Sequence, residues 1–161
     1  MPGSLSSLVE RLQAEGEKIT VSFAALTHEQ WNVPVYTEGE TWTARALLSH
    51  FVAAEREQLK LLADVRDGGG GAAEGFDVDA YNAGQQNKMA QLSPQELLRQ
   101  FAVVRRETAV LVSGLAVADL EKQGRHPYMG MMSLDEMIKL VYRHNQIHYR
   151  DLRRALSDWL A

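Results

Sequence analysis

Residues 134–156 read LDEMIKLVYRHNQIHYRDLRRAL, and their spacing predicts an amphipathic helix. Apolar residues return every three or four positions, which places them on one face of a helix with 3.6 residues per turn. The face expected to point inward carries Leu134, Met137/Ile138, Val141, His144, His148, Leu152 and Ala155/Leu156. Two histidines one helical turn apart therefore belong to a surface that other helices must cover.

Three earlier segments, residues 5–26, 43–67 and 93–115, repeat this pattern. Side chains suited to helix capping open the later segments, with a threonine near residue 43 and serines at 93 and 133. Four amphipathic helices bury their apolar faces most simply as a four-helix bundle, so we predict an all-α fold, and no strand pattern is found in the sequence.

The topology follows from the connections. The first and second long helices, and likewise the third and fourth, are joined by short loops. A glycine run at 68–71 and a short predicted helix at 77–91 make a long connection between the second and third. That length allows a crossover and an up-down-down-up order. The competing interpretation is that the glycine run is a linker between two domains. We expect one domain over residues 1–161, because residues 1–67 hold only two helices.

Composition and charge argue against several classes of function. The net charge is −4 and no basic cluster occurs, so we expect no nucleic-acid partner. The pairs Arg105-Arg106 and Arg153-Arg154 are interpreted as solvated helix faces. The absence of cysteine excludes disulfides, thiolate zinc sites and a cysteine nucleophile. No signal segment and no apolar run of ~20 residues is present, so we expect a cytoplasmic protein without a membrane partner.

Histidines are the candidate metal ligands. His144 and His148 project from one helix face, and His50 lies on the inward face of the second long helix beside Phe51. Three converging imidazoles suit a divalent metal and leave positions for water or substrate. Zinc or nickel is the expected metal, and iron or cobalt is also compatible with three imidazole ligands. The alternative is a set of hydrogen-bonded core histidines, and spacing alone does not decide between the two.

Weaker catalytic candidates surround these histidines. Glu57 lies seven residues beyond His50 and Asp151 seven beyond His144, so each shares a face with its histidine. Either carboxylate is placed to orient an imidazole or to take a proton from metal-bound water, although a solvated carboxylate is the favoured interpretation. Asn82 is a candidate to line the site from the crossover. His126 is assigned to local loop structure.

Three stretches of the sequence carry a family resemblance: Trp42-Thr43, which opens the helix of His50, residues 76–82 (FDVDAYN), and residues 144–148 (HNQIH) after Ser133-Leu134. On these stretches the chain resembles the DinB-like family, which includes thiol-dependent maleylpyruvate isomerase N-terminal domains. It implies an up-down-down-up bundle with one divalent metal held by His50, His144 and His148. The isomerases carry a second domain with no counterpart here, so the resemblance does not name their substrate.

Three functions remain as hypotheses. The first is a metal-dependent enzyme of a thiol-dependent transferase or isomerase type, acting on a small molecule with an external thiol such as mycothiol or bacillithiol. The second is a hydrolase that uses metal-bound water. The third is a non-catalytic helical homodimer that binds a metal or ligand, with Trp159 either in the dimer surface or in the core. Whether the protein is an enzyme stays open at this point.

Overall fold

A computed structural model describes residues 4–160. The helices are α1 Leu5–Ala24, α2 Ala44–Arg66, α3 Val78–Met89, α4 Pro94–Ser113 and α5 Leu134–Leu160. Short 3-10 helices cover Gln30–Asn32 and Val117–Glu121. The strands are β1 Pro34–Tyr36, β2 Trp42–Thr43, β3 Gln123–His126 and β4 Gly130–Ser133.

The four long helices form the predicted bundle, in which α4 and α5 each pack against both α1 and α2. One apolar cluster joins the C-terminal halves of α1 and α5 to the N-terminal halves of α2 and α4, as in Phe23, Leu152, Phe51 and Phe101. The other cluster joins the opposite halves. Therefore α1 and α5 run one way and α2 and α4 the other, and the up-down-down-up topology is confirmed.

The predicted caps are present. The Thr43 hydroxyl accepts a hydrogen bond from the Ala46 N–H at 3.2 Å, and Ser93 caps α4 in the same way. The Ser133 hydroxyl accepts from the Glu136 N–H at 3.2 Å, while the Glu136 carboxylate accepts from the Ser133 N–H at 2.8 Å. Each cap satisfies backbone donors that have no partner inside the helix, which fixes where α2, α4 and α5 begin.

The all-α class is confirmed, and two short ribbons that the sequence did not reveal join the helices. β1 pairs with β2, and β3 pairs with β4, both antiparallel. These strands hold two to four residues each, too few for an alternating pattern to appear in the sequence. The β1–β2 ribbon matters for the site, because β2 ends at Thr43, the cap of α2, and β1 ends at Tyr36.

The glycine run also has a role beyond ending α2. The Arg125 N–H donates to the Gly70 carbonyl, and the Ala72 N–H donates to the Arg125 carbonyl, both at 2.8 Å. Gly71 has φ +89°, and a Cβ there would lie 2.5 Å from backbone atoms of Arg125. Only glycine fits such an approach, so this segment holds the start of the crossover against the β3–β4 hairpin.

The expectation that Arg105-Arg106 forms a solvated helix face was wrong for Arg105. It is 5 % exposed and bonds to Glu55 through Nε at 2.7 Å and Nη2 at 3.0 Å. Its Nη1 donates to the Leu12 carbonyl at 3.0 Å, Nη2 also donates to Asn145, and the Thr108 hydroxyl donates to Glu55 at 3.0 Å. The network joins all four long helices. Helical spacing places Arg105, four residues after Phe101, on the inward face, but the sequence does not show the carboxylate that pairs with it.

Gly16 interrupts the apolar face of α1, and the same arginine explains why a glycine stands there. A Cβ at Gly16 would lie 2.7 Å from Arg105 Cγ, so the glycine leaves the space through which the guanidinium reaches the bundle interior.

Trp159 is 49 % exposed and does not belong to the core. A homodimer stays a prediction. Among residues 4–160, no helix is both long enough and apolar enough to cross a membrane.

Replacing Arg105 by alanine is expected to lower the free energy of unfolding by about 3–5 kcal/mol, because it leaves the Glu55 carboxylate buried and unpaired. Arg106→Ala is the matched control, since its side chain is exposed, and should change stability by about 0.5 kcal/mol or less. Chemical denaturation measures both. Arg105→Met with Glu55→Leu should lose less than Arg105→Ala alone. Equal effects at 105 and 106 would contradict the network's role.

Candidate metal centre

Three histidines meet between α2 and α5. The Nε2 atom of His144 lies 3.0 Å from that of His50 and 3.2 Å from that of His148, and one ligand atom from each residue lies within 4.8 Å of the others. Two imidazole nitrogens bound to one tetrahedral zinc are about 3.3 Å apart, given Zn–N bonds of about 2.0–2.1 Å. The two distances from His144 are close to this separation and all three ligand atoms lie within 4.8 Å of one another, so the donor set fits a divalent metal.

The helices explain this convergence. His144 and His148 lie one turn apart on α5, so both rings point from the same face. His50 is held in the second turn of α2, whose start is fixed by the Thr43 cap. The Trp42 ring packs on His50 with centroids 4.9 Å apart, and Phe51 lies against the rings of His144 and His148. Aromatic packing therefore orients the rings from the sides away from the shared nitrogens.

Burial keeps the three rings neutral. Loss of hydration lowers the pKa of His50 from 6.5 to about 3, with repulsion from His148 as the second cause. Burial also sets the pKa of His144 well below its usual value, and repulsion from His50 and His148 adds to this. Burial lowers the pKa of His148, although nearby Asp151 opposes the shift. Neutral imidazoles present the lone pairs that a metal requires, whereas protonated rings present none.

Tyr36 contacts the histidine cluster, which the sequence did not reveal. Its hydroxyl lies 2.6 Å from Nδ1 of His148 and donates a hydrogen bond to Oδ2 of Asp151, also at 2.6 Å. The residue is 112 positions from His148 along the chain, and β1 is too short to be recognised from its residues. Asp151 thus approaches a histidine through Tyr36, and that histidine is His148 rather than His144.

A cavity of about 1190 Å³ opens onto the three histidines. Its walls come from α2, from α3 and the crossover, from the β3–β4 hairpin and from α5. Glu57 and Asn82 line it, as the sequence suggested. Asp151 instead lines a smaller groove that shares Tyr36 with the cavity. The Glu57 carboxylate is bound to the Lys60 ammonium at 2.7 Å.

His126 lines the same cavity, although the sequence assigned it to loop structure. Both descriptions hold. Its Nδ1 accepts hydrogen bonds from the backbone N–H groups of Tyr128 and Met129, at 3.1 and 3.3 Å, which stabilises the turn between β3 and β4. His126 does not belong to the group of His50, His144 and His148, whose ligand atoms lie within 4.8 Å of one another.

The DinB superfamily model matches residues 6–152. This chain belongs to the DinB superfamily. The resemblance seen in the sequence is therefore confirmed, over nearly the whole chain. A comparison with proteins of curated function gave no match.

Solved structures share the fold of this DinB protein. YfiT from Bacillus subtilis, described as a probable metal-dependent hydrolase with an unusual four-helix bundle topology, has a TM-score of 0.79 at 15% identity, covering 96% of this chain and 87% of YfiT. The mycothiol-dependent maleylpyruvate isomerase has a TM-score of 0.76 at 14% identity, covering 93% of this chain and 61% of the isomerase. At these identities the likeness establishes the fold alone.

A third structure bears on partners. The colibactin self-resistance protein ClbS, solved in complex with double-stranded DNA, has a TM-score of 0.74 at 13% identity, covering 100% of this chain and 98% of ClbS. That complex is a property of ClbS. The absence of a nucleic-acid partner for this chain stays a prediction, which rests on its net charge of −4.

The buried histidines are expected to make the metal-free protein less stable as the pH falls below about 6.5. Their folded pKa values are lowered, so the unfolded chain binds more protons and stability rises with pH through this range. For His50 alone the loss between pH 6.5 and 4 should be on the order of 3 kcal/mol. Urea unfolding across this range, with wild type beside His50→Gln, measures it.

The control is His28→Gln, which changes an exposed histidine. It should leave the dependence of unfolding free energy on pH as it is in the wild type, while His50→Gln flattens it. An unchanged dependence in His50→Gln would mean that the ring is already protonated in the folded protein.

Proposed function

We propose that this protein is a metal-dependent enzyme that uses an external low-molecular-weight thiol in a transferase or isomerase type of reaction. His50, His144 and His148 hold the metal. The observation that carries the proposal is the convergence of three neutral imidazole nitrogens beside a cavity of about 1190 Å³. The isomerase that shares the fold is described as mycothiol-dependent, which agrees with this proposal.

A divalent metal held there would lower the pKa of a thiol and polarise an electrophile. The chain contains no cysteine, so the sulfur nucleophile must enter with a second molecule. The protein's own part is to bind both molecules, to orient them and to exclude water. The cavity is larger than the roughly 300–1000 Å³ of ordinary ligand pockets, which supports room for two reactants.

The charges of the wall narrow the choice of thiol. The carboxylates that line the cavity are Glu38, Glu40, Glu57, Asp64 and Asp79. Lys60 is the one lysine or arginine among the lining residues described, and it is paired with Glu57. Such a wall disfavours anionic ligands. A thiol without carboxylates, such as mycothiol, therefore suits this cavity better than one with several, such as bacillithiol, and the electrophile should have an uncharged body.

A hydrolase at the same site is the second candidate. Two observations favour it: Glu57 lines the cavity as a carboxylate that can act as a base, and YfiT is described as a probable metal-dependent hydrolase. The ion pair of Glu57 with Lys60 at 2.7 Å counts against a free base. Thiol chemistry would require less of the protein, because a divalent metal would deprotonate a bound thiol more completely than a bound water, so no protein base would be needed.

Purified protein is expected to hold about one divalent ion per chain, and His144→Ala/His148→Ala none. Two of three ligands are removed in the double variant, and one imidazole does not retain an ion against dialysis. Elemental analysis after reconstitution with zinc or nickel measures this, with His28→Ala as a control that keeps full metal content. No metal in the wild type would leave the three rings as core histidines and end the proposal.

Activity is expected to require both metal and thiol. Metal-loaded protein should conjugate mycothiol to an uncharged electrophile such as monobromobimane faster than the metal-free protein, and bacillithiol should react more slowly because of the acidic wall. A chelator should abolish the reaction. Hydrolysis of model esters or amides without thiol, lost in Glu57→Gln, would instead establish the hydrolase.

A further inference from the structure

Tyr36 connects His148, a candidate metal ligand, to the carboxylate of Asp151. In the hydrogen bonds described, Asp151 does not contact a histidine directly. The Tyr36 hydroxyl stands between Nδ1 of His148 and Oδ2 of Asp151, at 2.6 Å from each. Both separations are those of short hydrogen bonds, and all three side chains are at least partly buried. The chain of contacts therefore runs from a carboxylate, through a phenol, to an imidazole.

Counting protons fixes the direction of these bonds. The Tyr36 hydroxyl donates its single proton to Oδ2 of Asp151. The Tyr36 oxygen then accepts from His148, which places the proton of the neutral ring on Nδ1. The Nε2 of His148, which faces His144 at 3.2 Å, is left with its lone pair.

We propose that Tyr36 is a positioning residue, which together with Asp151 holds His148 in the Nδ1–H tautomer and so directs the Nε2 lone pair into the three-histidine cluster. This rests on the proposed function in so far as the cluster binds a metal. A metal-binding histidine commonly donates its other N–H to a carboxylate or carbonyl, directly; here a phenol stands between. The sequence pattern of histidine and Asp151 on one helix cannot show this, because the phenol comes from β1.

The location of Tyr36 suits this role. Tyr36 is paired with Trp42 across the β1–β2 ribbon, and their rings lie 6.5 Å apart. Trp42 packs on His50, and the next residue, Thr43, caps α2. One short ribbon thus contacts His148 on α5 through Tyr36 and His50 on α2 through Trp42. It supports ligands from both helices that form the cluster.

Metal affinity is the first test. Apparent dissociation constants for zinc, measured by competition with a chromophoric chelator at pH 7.5, should rise about 10- to 100-fold in Tyr36→Phe. Tyr81→Phe is the matched control, because it also removes a hydrogen-bonded hydroxyl from the cavity, one that donates to the Ala53 carbonyl at 3.2 Å. It should bind zinc as the wild type does. Asp151→Asn keeps an acceptor for Tyr36 and should lose less affinity than Tyr36→Phe.

The tautomer itself is the second test, and it needs neither metal nor activity. Long-range ¹⁵N–¹H NMR of the metal-free protein above pH 7 should find His148 protonated at Nδ1 in the wild type and in Tyr81→Phe. In Tyr36→Phe the proton should move toward Nε2, the tautomer that free histidine prefers. Circular dichroism of each variant checks that the helices are intact.

The outcomes separate the two proposals. Equal zinc affinity of Tyr36→Phe and wild type, or an Nε2–H tautomer of His148 in the wild type, overturns the positioning role while the metal site stands. A wild-type protein that binds no divalent ion overturns the proposed function, and the NMR result then decides alone whether Tyr36 sets the tautomer.

Discussion

The buried contact between Arg105 and Glu55 is the constraint on which the rest of the bundle depends. Apolar side chains pack in many registers, whereas a guanidinium that must reach Glu55, Asn145 and the Leu12 carbonyl has few positions available. Glu55 lies five residues beyond His50, and Asn145 follows His144. The bonds that satisfy Arg105 thereby set how far α5 is displaced along α2. A buried ion pair contributes little net stability compared with apolar packing, so we infer that this one mainly fixes register.

The register matters because the histidine cluster tolerates little displacement. One residue of slip along a helix moves a side chain about 1.5 Å and rotates it by roughly 100°, which would separate nitrogens now 3.0 and 3.2 Å apart. The cluster also has a cost, since three imidazoles must be buried in their neutral form. A metal offsets that cost on binding, so affinity for the ion and stability of the fold are linked at this site.

The parts of the fold that sequence predicted were those with local causes. Helical periodicity placed α1, α2, α4 and α5, and the capping residues Thr43, Ser93 and Ser133 marked three helix starts within a residue or two. The inward face of each helix also placed His50, His144 and His148 on surfaces that must meet. These signals repeat within a few residues, so a single sequence contains them in full.

The parts that sequence missed depend on contacts between distant segments. Arg105 and Arg106 differ only in which helix face they occupy, and Arg105 is buried because Glu55, 50 residues away, receives it. Tyr36 has no local signal, because its role comes from two residues more than 110 positions further along the chain. The strands of two to four residues are stabilised by pairing with each other and with the glycine segment, rather than by their own composition.

This division between bundle and connections bears on function. Two of the long helices, α2 and α5, supply the three histidines, whereas much of the remaining cavity wall comes from the segments that join the helices: the β1–β2 ribbon, the crossover with α3 and the β3–β4 hairpin. The crossover and the β3–β4 hairpin contribute few residues to the buried apolar clusters, so they can change with little loss of the core, whereas the β1–β2 ribbon supports the histidines. Neighbours of the same fold at 13–15% identity have descriptions as different as hydrolase, isomerase and self-resistance protein, so the bundle alone does not determine a substrate. The acidic, carboxylate-lined wall of this chain is accordingly the feature from which its own substrate should be inferred.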